Sequence, residues 1–300
     1  MSHQPLKNLQ VIGMRYGDSR PAQNDERSLD AYVDADVYSS AGVPFSVVEP
    51  QMIEALRSAM EPDNIGTLGG EVAHAVADAR QKESAILMTG GNCSHITGIF
   101  GGLQDAHGPA VRVGLVWFDA HGDFNTPGTS LSGMLGGMPV AVCAGLAFPS
   151  WRERSHIVAP VPTDRIVMVD VRNLDEQEAQ LISSTDIVIA AVAPEFPGQE
   201  LSTAVNDLAA RCDLLYLHID SDILDERYTP NHGTKEPNGP EMAQVRAAID
   251  MVMATGKVAV AAVVSVYGEG EGSDVMVESG IELIRGCLTS WKNHGGAWTV

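Results

Sequence analysis

The feature that most constrains this chain is an apolar segment that ends in a cluster of polar residues. Residues 111–118 are almost wholly apolar and run directly into Asp119-Ala-His-Gly-Asp123. Two further apolar segments end in the same way: 85–88 before Gly-Gly-Asn-Cys-Ser-His at 90–95, and 214–219 before Asp220-Ser-Asp222. In an open parallel sheet, ligands gather outside the carboxyl ends of the strands. The sequence therefore predicts three polar strand ends that converge on one site.

Elsewhere, short apolar segments alternate with longer segments of helical periodicity, which is typical of a parallel sheet with helices on both faces. We predict eight strands, at residues 10–13, 45–48, 84–89, 111–118, 165–171, 187–190, 214–219 and 258–266. We predict seven helices, at residues 69–81, 94–103, 132–144, 176–183, 202–210, 239–255 and 273–289. Because no repeat or linker interrupts the pattern, we expect a single α/β domain over residues 1–300.

Charge and composition restrict the partners of the chain. The sequence has 39 acidic and 19 basic side chains and a formal net charge of −20, which repels phosphate backbones and anionic lipids and favours cationic small molecules. No apolar run approaches the ~20 residues that span a bilayer, and the polar start lacks the apolar region of a signal peptide. The four cysteines are too widely spaced for a disulfide framework. We expect a cytoplasmic protein with no nucleic-acid or membrane partner.

The polar strand ends favour a metal site. Hard oxygen donors together with an imidazole suit a divalent ion such as Mn²⁺, and the mixed donor set also admits Ni²⁺, Co²⁺, Fe²⁺ or Zn²⁺. Four aspartates facing one cavity would repel one another without cations between them, so we expect two ions. Two ions can lower the pKa of a shared water and present it to an electrophilic carbon, which predicts a hydrolase. The alternative for any one of these motifs is a solvated turn.

These motifs resemble those of the ureohydrolase family, which includes arginases, agmatinases and formiminoglutamases. The resemblance covers residues 86–266 and is carried by Asp119-Ala-His-Gly-Asp-Phe-Asn-Thr-Pro127 and Asp220-Ser-Asp-Ile-Leu-Asp225. It implies an arginase-like three-layer α/β/α sandwich with a mainly parallel sheet. It also implies cleavage of a guanidino C–N bond by a hydroxide that bridges two Mn²⁺ ions.

The resemblance assigns the metal ligands by motif. Asp119 and Asp220 match the residues that bridge the ions, His121 and Asp222 complete one ion, and Asp123 helps to complete the other. His121 and Asp123 are accordingly also candidates for a catalytic role. The oligomeric state stays open, because arginase-like enzymes are often trimers or hexamers whereas some relatives act alone; a homo-oligomer is one of the two expectations.

The chain departs from the family pattern at Cys93. The family typically reads Gly-Gly-Asp-His-Ser here, with the His as a ligand, whereas this chain reads Gly90-Gly-Asn-Cys-Ser94. A thiolate can replace an imidazole as ligand, which resembles the branch typified by the N-hydroxy-L-arginine hydrolase of D-cycloserine biosynthesis. We therefore expect Cys93 to be a metal ligand and favour N-hydroxy-L-arginine over L-arginine as substrate. The alternatives are a buried structural Cys93 and His95 as the ligand.

A second departure concerns proton transfer. Arginases place a histidine, often assigned as a proton shuttle, where this chain has Gly136. N-hydroxylation lowers the pKa of a guanidinium and eases its attack by hydroxide, which fits the same branch. His232, in the long loop 225–239, is a candidate catalytic replacement. Its alternative is an exposed loop histidine without a catalytic role.

Three positions match residues that recognise a free α-amino acid. Asn125 and Ser132 match those that hold the α-carboxylate in arginases, and Asp175 matches the aspartate that meets the α-amino group. A carboxylate needs donors and an ammonium needs an anion, so the trio is chemically suited to this task. Ser132 and Asp175 are also favoured helix N-cap types, which is the alternative for both.

The last predicted strand differs from the arginase pattern. Arginases carry Glu-Val-Asn there, and the glutamate contacts the guanidinium, whereas this chain reads Val266-Tyr-Gly-Glu-Gly-Glu271. Simple alignment places Tyr267 at the glutamate, and a bulge at a neighbouring glycine could bring Glu269 or Glu271 inward. Tyr267 and Glu269 are therefore candidate substrate-binding residues.

The leading hypothesis is a binuclear manganese amidinohydrolase with a cationic guanidino substrate. Alternatives within this class act on L-arginine, agmatine, guanidinobutyrate, peptidyl arginine or a formimino compound. An alternative from another class is a non-catalytic metal-binding accessory subunit, because the shuttle histidine and the guanidinium-binding glutamate are both missing. A nucleotide-binding module lacks support, since no Gly-x-Gly-x-x-Gly opens a helix after the first strand.

Overall fold

The structure is a computed structural model that describes residues 4–22 and 26–298. Over these ranges the strands are β1 (Leu9–Met14), β2 (Tyr16–Gly17), β3 (Arg20–Pro21), β4 (Phe45–Val48), β5 (Ala85–Gly90), β6 (Val113–Phe118), β7 (Ile166–Val169), β8 (Val188–Ala191), β9 (Gln199–Glu200), β10 (Leu214–Asp220) and β11 (Val258–Val264). Nine of them form one sheet in the order β4-β1-β5-β11-β10-β6-β7-β8-β9, and every pairing in it is parallel. The two short strands β2 and β3 form an antiparallel pair beside it.

Helices cover both faces of the sheet. They are α1 (Glu26–Asp34), α2 (Glu61–Gln81), α3 (Ile96–His107), α4 (Pro139–Cys143), α5 (Pro149–Arg154), α6 (Glu176–Ser183), α7 (Leu201–Arg211), α8 (Met242–Met253) and α9 (Ser273–His294). Strand residues alternate between two apolar cores: Leu9 and Val11 pack with α7, α8 and α9, whereas Ile12 and Met14 pack with α2, α3 and α5. This alternation follows from the period of two in a strand and produces the three layers that were predicted.

All eight predicted strands are present, and the three-layer α/β/α fold is confirmed. The sequence pattern missed β9, which is only two residues long and carries no apolar alternation. The predicted strand 165–171 is shorter in the structure, where β7 covers Ile166–Val169. The main chain turns away from the sheet at Asp170, whose φ is 64°. The roughly eight-stranded sheet thus has nine strands.

The helix predicted at 132–144 is wrong. The chain forms a 3₁₀ turn at Leu135–Gly137 and then the five-residue helix α4 (Pro139–Cys143). Gly133, Gly136 and Gly137 weaken any helix here, and Pro139 has no N–H to donate, so a helix can begin at that residue but cannot run through it. The segment is instead an irregular loop that lines the cavity described below.

The predicted helix at 69–81 begins eight residues earlier, at Glu61, as part of α2. Glycines at 66, 69 and 70 obscured its helical periodicity. They serve close packing instead, because a Cβ on Gly69 would lie 2.2 Å from Ser155 Oγ. Helices α1 and α5 were not predicted, and both are short.

The polar strand ends lie next to one another, as expected. Strands β5, β11, β10 and β6 are consecutive in the sheet, and the chain leaves their carboxyl ends at Asn92, Ser265, Ser221 and Asp119. The long loop 225–239 is held over this edge by the half-buried Arg172, whose guanidinium donates hydrogen bonds to the carbonyls of Asp222, Leu224 and Glu236 and to the Asp170 carboxylate. Among the described residues, no helix is both long and apolar enough to cross a bilayer.

Candidate metal centre

A cavity of about 450 Å³ opens at the carboxyl ends of these strands. It brings together the six residues assigned as ligands, Cys93, Asp119, His121, Asp123, Asp220 and Asp222, but not the alternative ligand His95. Five of the six, together with His232, form three overlapping groups of donor atoms, within each of which the atoms lie no more than 4.8 Å apart; Asp123 lines the cavity but belongs to none of these groups. The groups are Cys93 with Asp119 and Asp220, Asp119 with His121 and Asp222, and Asp220 with Asp222 and His232.

The spacing of the aspartate motifs has a local structural cause. At the end of β6, Asp119 Oδ1 accepts a hydrogen bond from the amide of His121 at 2.6 Å. At the end of β10, Asp220 Oδ1 accepts one from the amide of Asp222 at 3.0 Å. Each carboxylate thereby fixes the backbone two residues further on and aims the next donor side chain into the same cavity.

Cys93, and not His95, lies within the ligand cluster. Cys93 begins a 3₁₀ turn after β5, and its Sγ lies 3.0 Å from Asp220 Oδ2 and 3.8 Å from Asp119 Oδ2. The His95 ring points away, with Nε2 at 2.9 Å from the Asp18 carbonyl oxygen and Nδ1 beside the backbone of Asn92. His95 therefore holds the β2–β3 hairpin and the turn together, and this geometry favours Cys93 as the ligand.

His121 lies between two groups of carboxylates. Its Nδ1 is 3.3 Å from Asp119 Oδ1 and 3.2 Å from Asp222 Oδ2, while its Nε2 is 3.4 Å from Glu236 Oε1. Burial lowers the pKa of His121, but hydrogen bonds to Asp119 and Asp222 outweigh it and raise the pKa to about 12. A carboxylate behind a ligating imidazole is a common arrangement at metal sites. Glu236 is a site residue that the sequence analysis missed, because no motif marks it within the long loop.

The donor set fits divalent cations. Burial and the neighbouring carboxylates raise the pKa values of Asp119 and Asp123, which shows that this cavity disfavours so many negative charges. At Asp220, burial would raise the pKa as well, but hydrogen bonds from His232, Cys93 and Ser265 lower it. Without cations, the negative charge of the cluster has to be offset by protons on His121 and on the carboxyl groups. Divalent ions would supply that positive charge directly, to oxygen, nitrogen and sulfur donors that suit them.

His232 is buried, so the alternative of an exposed loop histidine is wrong. Only 6% of the residue is accessible to solvent. Its Nε2 lies 3.4 Å from Asp220 Oδ1, its Nδ1 accepts a hydrogen bond from the amide of Thr234 at 3.1 Å, and its ring packs edge-on against Tyr267. Because the Thr234 N–H occupies the Nδ1 lone pair, a neutral His232 carries its proton on Nε2 and directs it into the cavity.

The proposed amino-acid recognition residues line the same cavity. Asn125, Ser132 and Asp175 all line it, and Asn125 Nδ2 donates to Asp175 Oδ2 at 3.2 Å. Ser132 precedes no helix, so its N-cap alternative is wrong; its Oγ accepts a hydrogen bond from the amide of Met134. Asp175 does precede α6.

The end of β11 differs from what the alignment indicated. Ser265, the first residue after the strand, reaches the ligand cluster, and its Oγ donates to Asp220 Oδ2 at 2.6 Å. Tyr267 lines the cavity as expected, two residues further out. Glu269 and Glu271 are not among the lining residues, so the structure brings neither of them into the cavity. The strand ends at Val264, which leaves both glutamates in the loop beyond.

A family model supplies the deciding comparison. The model of the arginase family matches residues 13–288. The chain belongs to the arginase family. It is thus assigned to the ureohydrolases, the class of hydrolases that the arginase family comprises.

Individual relatives agree with this assignment at low identity. The arginase of Bacillus caldovelox is 30% identical over 186 residues, which is 61% of each chain and less than two thirds of that relative. The arginase of Bacillus subtilis is 26% identical over 78% of this chain and 80% of its own. The crystal structure of Entamoeba histolytica arginase in complex with L-ornithine superposes with a TM-score of 0.81 at 19% identity, covering 95% of this chain and 99% of that one. At this identity the structural match concerns the fold.

One further residue, Glu178, shapes the arginase-family site without any sequence signal. Glu178 is buried in α6, and its Oε1 accepts a hydrogen bond from the amide of Phe124 at 2.8 Å, which fixes the loop after Asp123. That loop is strained, because Asp123 has a φ of 46°, in the left-handed region. Burial raises the pKa of Glu178, although backbone hydrogen bonds oppose the shift. Neither a buried helix glutamate nor the strain it supports is visible in a motif.

The cavity is strongly acidic. Among the described residues, its lining includes Asp119, Asp123, Asp175, Glu178, Asp220 and Asp222, and no lysine or arginine. A cavity with this lining attracts cations and can meet a carboxylate only with neutral donors such as amides and hydroxyls.

Proposed function

We propose that this chain is a two-metal amidinohydrolase that cleaves the guanidino C–N bond of an arginine-like amino acid, with N-hydroxy-L-arginine preferred. One observation carries the proposal: a single cavity is lined both by the three overlapping ligand groups and by the trio Asn125, Ser132 and Asp175. A substrate with a free amino-acid head and a guanidino tail would meet both sets of residues in that cavity.

The proposed ligands are Cys93, Asp119, His121, Asp123, Asp220 and Asp222. Asp119, Asp220 and Asp222 each belong to two of the three donor groups, and of these the family motifs match Asp119 and Asp220 to the ligands that two bound ions would share. Mn²⁺ is the proposed metal, and the thiol also admits Co²⁺, Ni²⁺, Fe²⁺ or Zn²⁺. When bound, two such ions lower the pKa of a water so that it can attack an electrophilic carbon near neutral pH.

The side chains of this protein orient the remaining components. With ions bound, Asp123 would accept a hydrogen bond from the water that they activate, and the loop fixed by Glu178 holds its carboxylate in place. His121 keeps its position through Glu236 behind it. His232, whose Nε2 proton points into the cavity, donates to the leaving amine in place of the histidine that Gly136 replaces.

The preference for an N-hydroxyguanidine is supported by what the end of β11 lacks. Ser265 and Tyr267 present hydroxyls where a carboxylate would pair with a full guanidinium charge. An N-hydroxyguanidine has a lower pKa and loses its charge more readily, so hydroxyl groups suffice to bind it. This supports our proposal that the chain belongs to the Cys-ligand branch of the family, typified by the N-hydroxy-L-arginine hydrolase of D-cycloserine biosynthesis.

The wider setting is proposed on simpler grounds. One continuous nine-stranded sheet, which contains both β1 and β11, supports a single domain over residues 1–300. Four buried free thiols and the net charge of −20 support a cytoplasmic enzyme without nucleic-acid or membrane partners. A homo-oligomer is also part of the proposal, because arginase-like enzymes are often trimers or hexamers.

The test is a substrate comparison with the Mn²⁺-loaded protein. We expect hydroxyurea release from N-hydroxy-L-arginine with a higher kcat/KM than urea release from L-arginine, and little turnover of agmatine, guanidinobutyrate or formimino compounds. A preference for any of these last three would contradict the proposed substrate class. Absence of turnover with all of them, while two ions are bound, would favour a non-catalytic accessory subunit.

The amino-acid head can be tested separately with crossed variants. Agmatine keeps the amine but lacks the carboxylate, and guanidinobutyrate keeps the carboxylate but lacks the amine. Asp175→Asn should weaken binding of agmatine but not of guanidinobutyrate, and Asn125→Ala should do the reverse, each by about tenfold to a hundredfold. Competitive inhibition constants measure both. Equal effects on the two ligands would remove the assigned roles.

A further inference from the structure

A buried chain of polar groups lies behind Cys93, on the side away from the cavity. His218, in β10, has its Nε2 3.3 Å from Cys93 Sγ and its Nδ1 2.7 Å from the Tyr216 hydroxyl. Tyr216 and His218 are completely buried, and Cys93 is 4% exposed. Neither Tyr216 nor His218 lines the cavity, so neither is available to bind substrate directly.

The indole of Trp117 fixes the His218 ring. The two rings stack with centroids 4.1 Å apart and an interplanar angle of 5°. Trp117 Nε1 in turn donates a hydrogen bond to the carbonyl of His121. The imidazole therefore has one orientation, with one edge towards Tyr216 and the other towards the sulfur.

The proton positions follow from the need to satisfy buried donors. Among the described residues, the Tyr216 hydroxyl has only His218 Nδ1 as a hydrogen-bond partner. If Nδ1 carried a proton and donated, the phenolic O–H would stay buried without an acceptor, which costs about 1–3 kcal/mol. The hydroxyl therefore donates to Nδ1, and the proton of the neutral imidazole is on Nε2. That N–H faces Cys93 Sγ.

We propose that His218 is a positioning residue that donates an Nε2–H···S hydrogen bond to Cys93 and holds the sulfur as a metal ligand. The inference rests on the proposed metal centre and adds to it a partner for the ligand in which this chain departs from its family. Cys93 is free to rotate about a single side-chain bond, and sulfur hydrogen bonds are weakly directional. The stacked imidazole restricts the sulfur to the side that faces Asp119 and Asp220.

The arrangement explains why an imidazole here is not itself a ligand. The backbone of β10 places His218 two residues before Asp220, on the same face of the strand but further from the carboxyl end at which the cavity opens. Cys93 occupies the space between the ring and the donor atoms of the cluster. The imidazole can therefore reach the metal only through the thiol, as a donor to it.

The experiment uses the full-length protein loaded with Co²⁺, whose sulfur-to-cobalt charge-transfer band in the near ultraviolet reports the Cys93 ligand directly. His218→Phe keeps a ring on Trp117 and removes the N–H; combined with Tyr216→Phe, it leaves no orphaned hydroxyl. Cys93→Ser is the control that abolishes the band. Tyr216→Phe alone deletes one oxygen and serves as a mild variant that keeps the fold.

We expect the band to move to lower energy in His218→Phe/Tyr216→Phe, because a thiolate without its hydrogen bond donates charge more readily. Cobalt affinity should fall about tenfold or more, as for other groups that support metal ligands. Tyr216→Phe alone should shift the band in the same direction by less. Unchanged band energy and affinity within twofold in both variants would overturn the proposal, as would the absence of the band in the parent protein.

Turnover is measured in parallel so that the two proposals can fail separately. If the parent protein hydrolyses guanidino substrates but its band does not respond to Tyr216→Phe or to the double variant, the role of His218 is removed and the proposed function stands. If the band responds but no substrate is turned over, the role of His218 stands and the catalytic proposal fails.

Discussion

Two pairs of strand ends build the same cavity with different residues. The ends of β6 and β10 carry Asp119 and Asp220, whose carboxylates bind their own backbone two residues on. The ends of β5 and β11 carry Cys93 and Ser265, and both of these direct a neutral donor to the same atom, Asp220 Oδ2, at 3.0 and 2.6 Å. On the proposed assignment, the first pair supplies the carboxylates that both ions share, whereas the second pair supplies a thiol ligand and a hydroxyl donor that adjust the charge and geometry around Asp220.

This difference separates what the family shares from what this chain changes. A carboxylate that bridges two ions cannot be replaced without losing charge and geometry together. Residues around it can be replaced as long as each still offers a lone pair or a proton at the right place. Two departures from the arginase pattern accordingly lie at the ends of β5 and β11, and the third, Gly136, lies in the loop after β6; none alters the aspartates of β6 and β10.

The largest effect is expected from the bridging carboxylates. Asp119→Asn keeps the size of the side chain and its acceptor oxygen but removes the charge from two of the three donor groups. Metal affinity and turnover should each fall by more than about a hundredfold, the upper range for groups that only support ligands. Metal content after dialysis and steady-state kinetics measure this. If Asp119→Asn retained two ions, the carboxylates at the ends of β6 and β10 would be no more important for metal binding than the residues at the ends of β5 and β11.

A smaller effect is expected from Glu236→Gln. Glu236 lies 3.4 Å from His121 Nε2 and orients the imidazole without contacting the other ligands. The loss should be about tenfold in metal affinity, because the amide can still accept the Nε2–H hydrogen bond but no longer supports it with a charge. Titration with a fluorescent metal chelator gives the affinity. A loss equal to that of Asp119→Asn would mean that Glu236 is itself a ligand.

Ser265→Ala tests the second strand pair. It removes one donor from Asp220 Oδ2 and leaves the Cys93 contact in place. Since hydrogen bonds from His232, Cys93 and Ser265 lower the pKa of Asp220, losing one should raise that pKa and weaken metal binding by less than about tenfold. The pH above which the protein binds metal tightly should therefore rise. Ser290→Ala, a helix substitution far from the cavity, is the matched control and should change neither quantity.

The smallest effect concerns thermal stability and pH. Burial raises the pKa values of Asp119 and Asp123, so without metal these groups favour the folded state at low pH, and this contribution is lost as pH rises through their raised pKa values. Bound cations would remove the free-energy cost of ionising these two carboxyl groups in the folded protein. The Tm difference between the Mn²⁺-loaded and the chelator-treated protein should therefore grow as pH rises. A difference that is constant with pH would contradict the coupled charges described for this cavity.

Much of the fold was accessible from the sequence because it depends on local patterns. Eight apolar segments, each followed by polar residues or helical periodicity, were enough to predict the sheet and its layers. The helix at 132–144 failed because Gly136 and Pro139 favour an irregular loop, and the early part of α2 was missed because glycines that serve packing resemble helix breakers.

The convergence of the proposed ligand residues on one cavity was predicted for a related reason, since the aspartate motifs fix their own backbone. The supporting residues were not. Glu178, Glu236 and His218 reach the site from a helix, a long loop and the middle of a strand, and only the tertiary structure brings them to it. Ser265 was missed because the register at the end of β11 depends on pairing with β5 and β10.

The most direct test of the central claim is a crystal structure of the Mn²⁺-loaded protein with anomalous data collected at the manganese edge. The account predicts two anomalous peaks in the cavity, both in contact with Asp119 and Asp220, with Cys93 Sγ a ligand of one of them. A single peak, or two peaks that leave either aspartate uncoordinated, would contradict it.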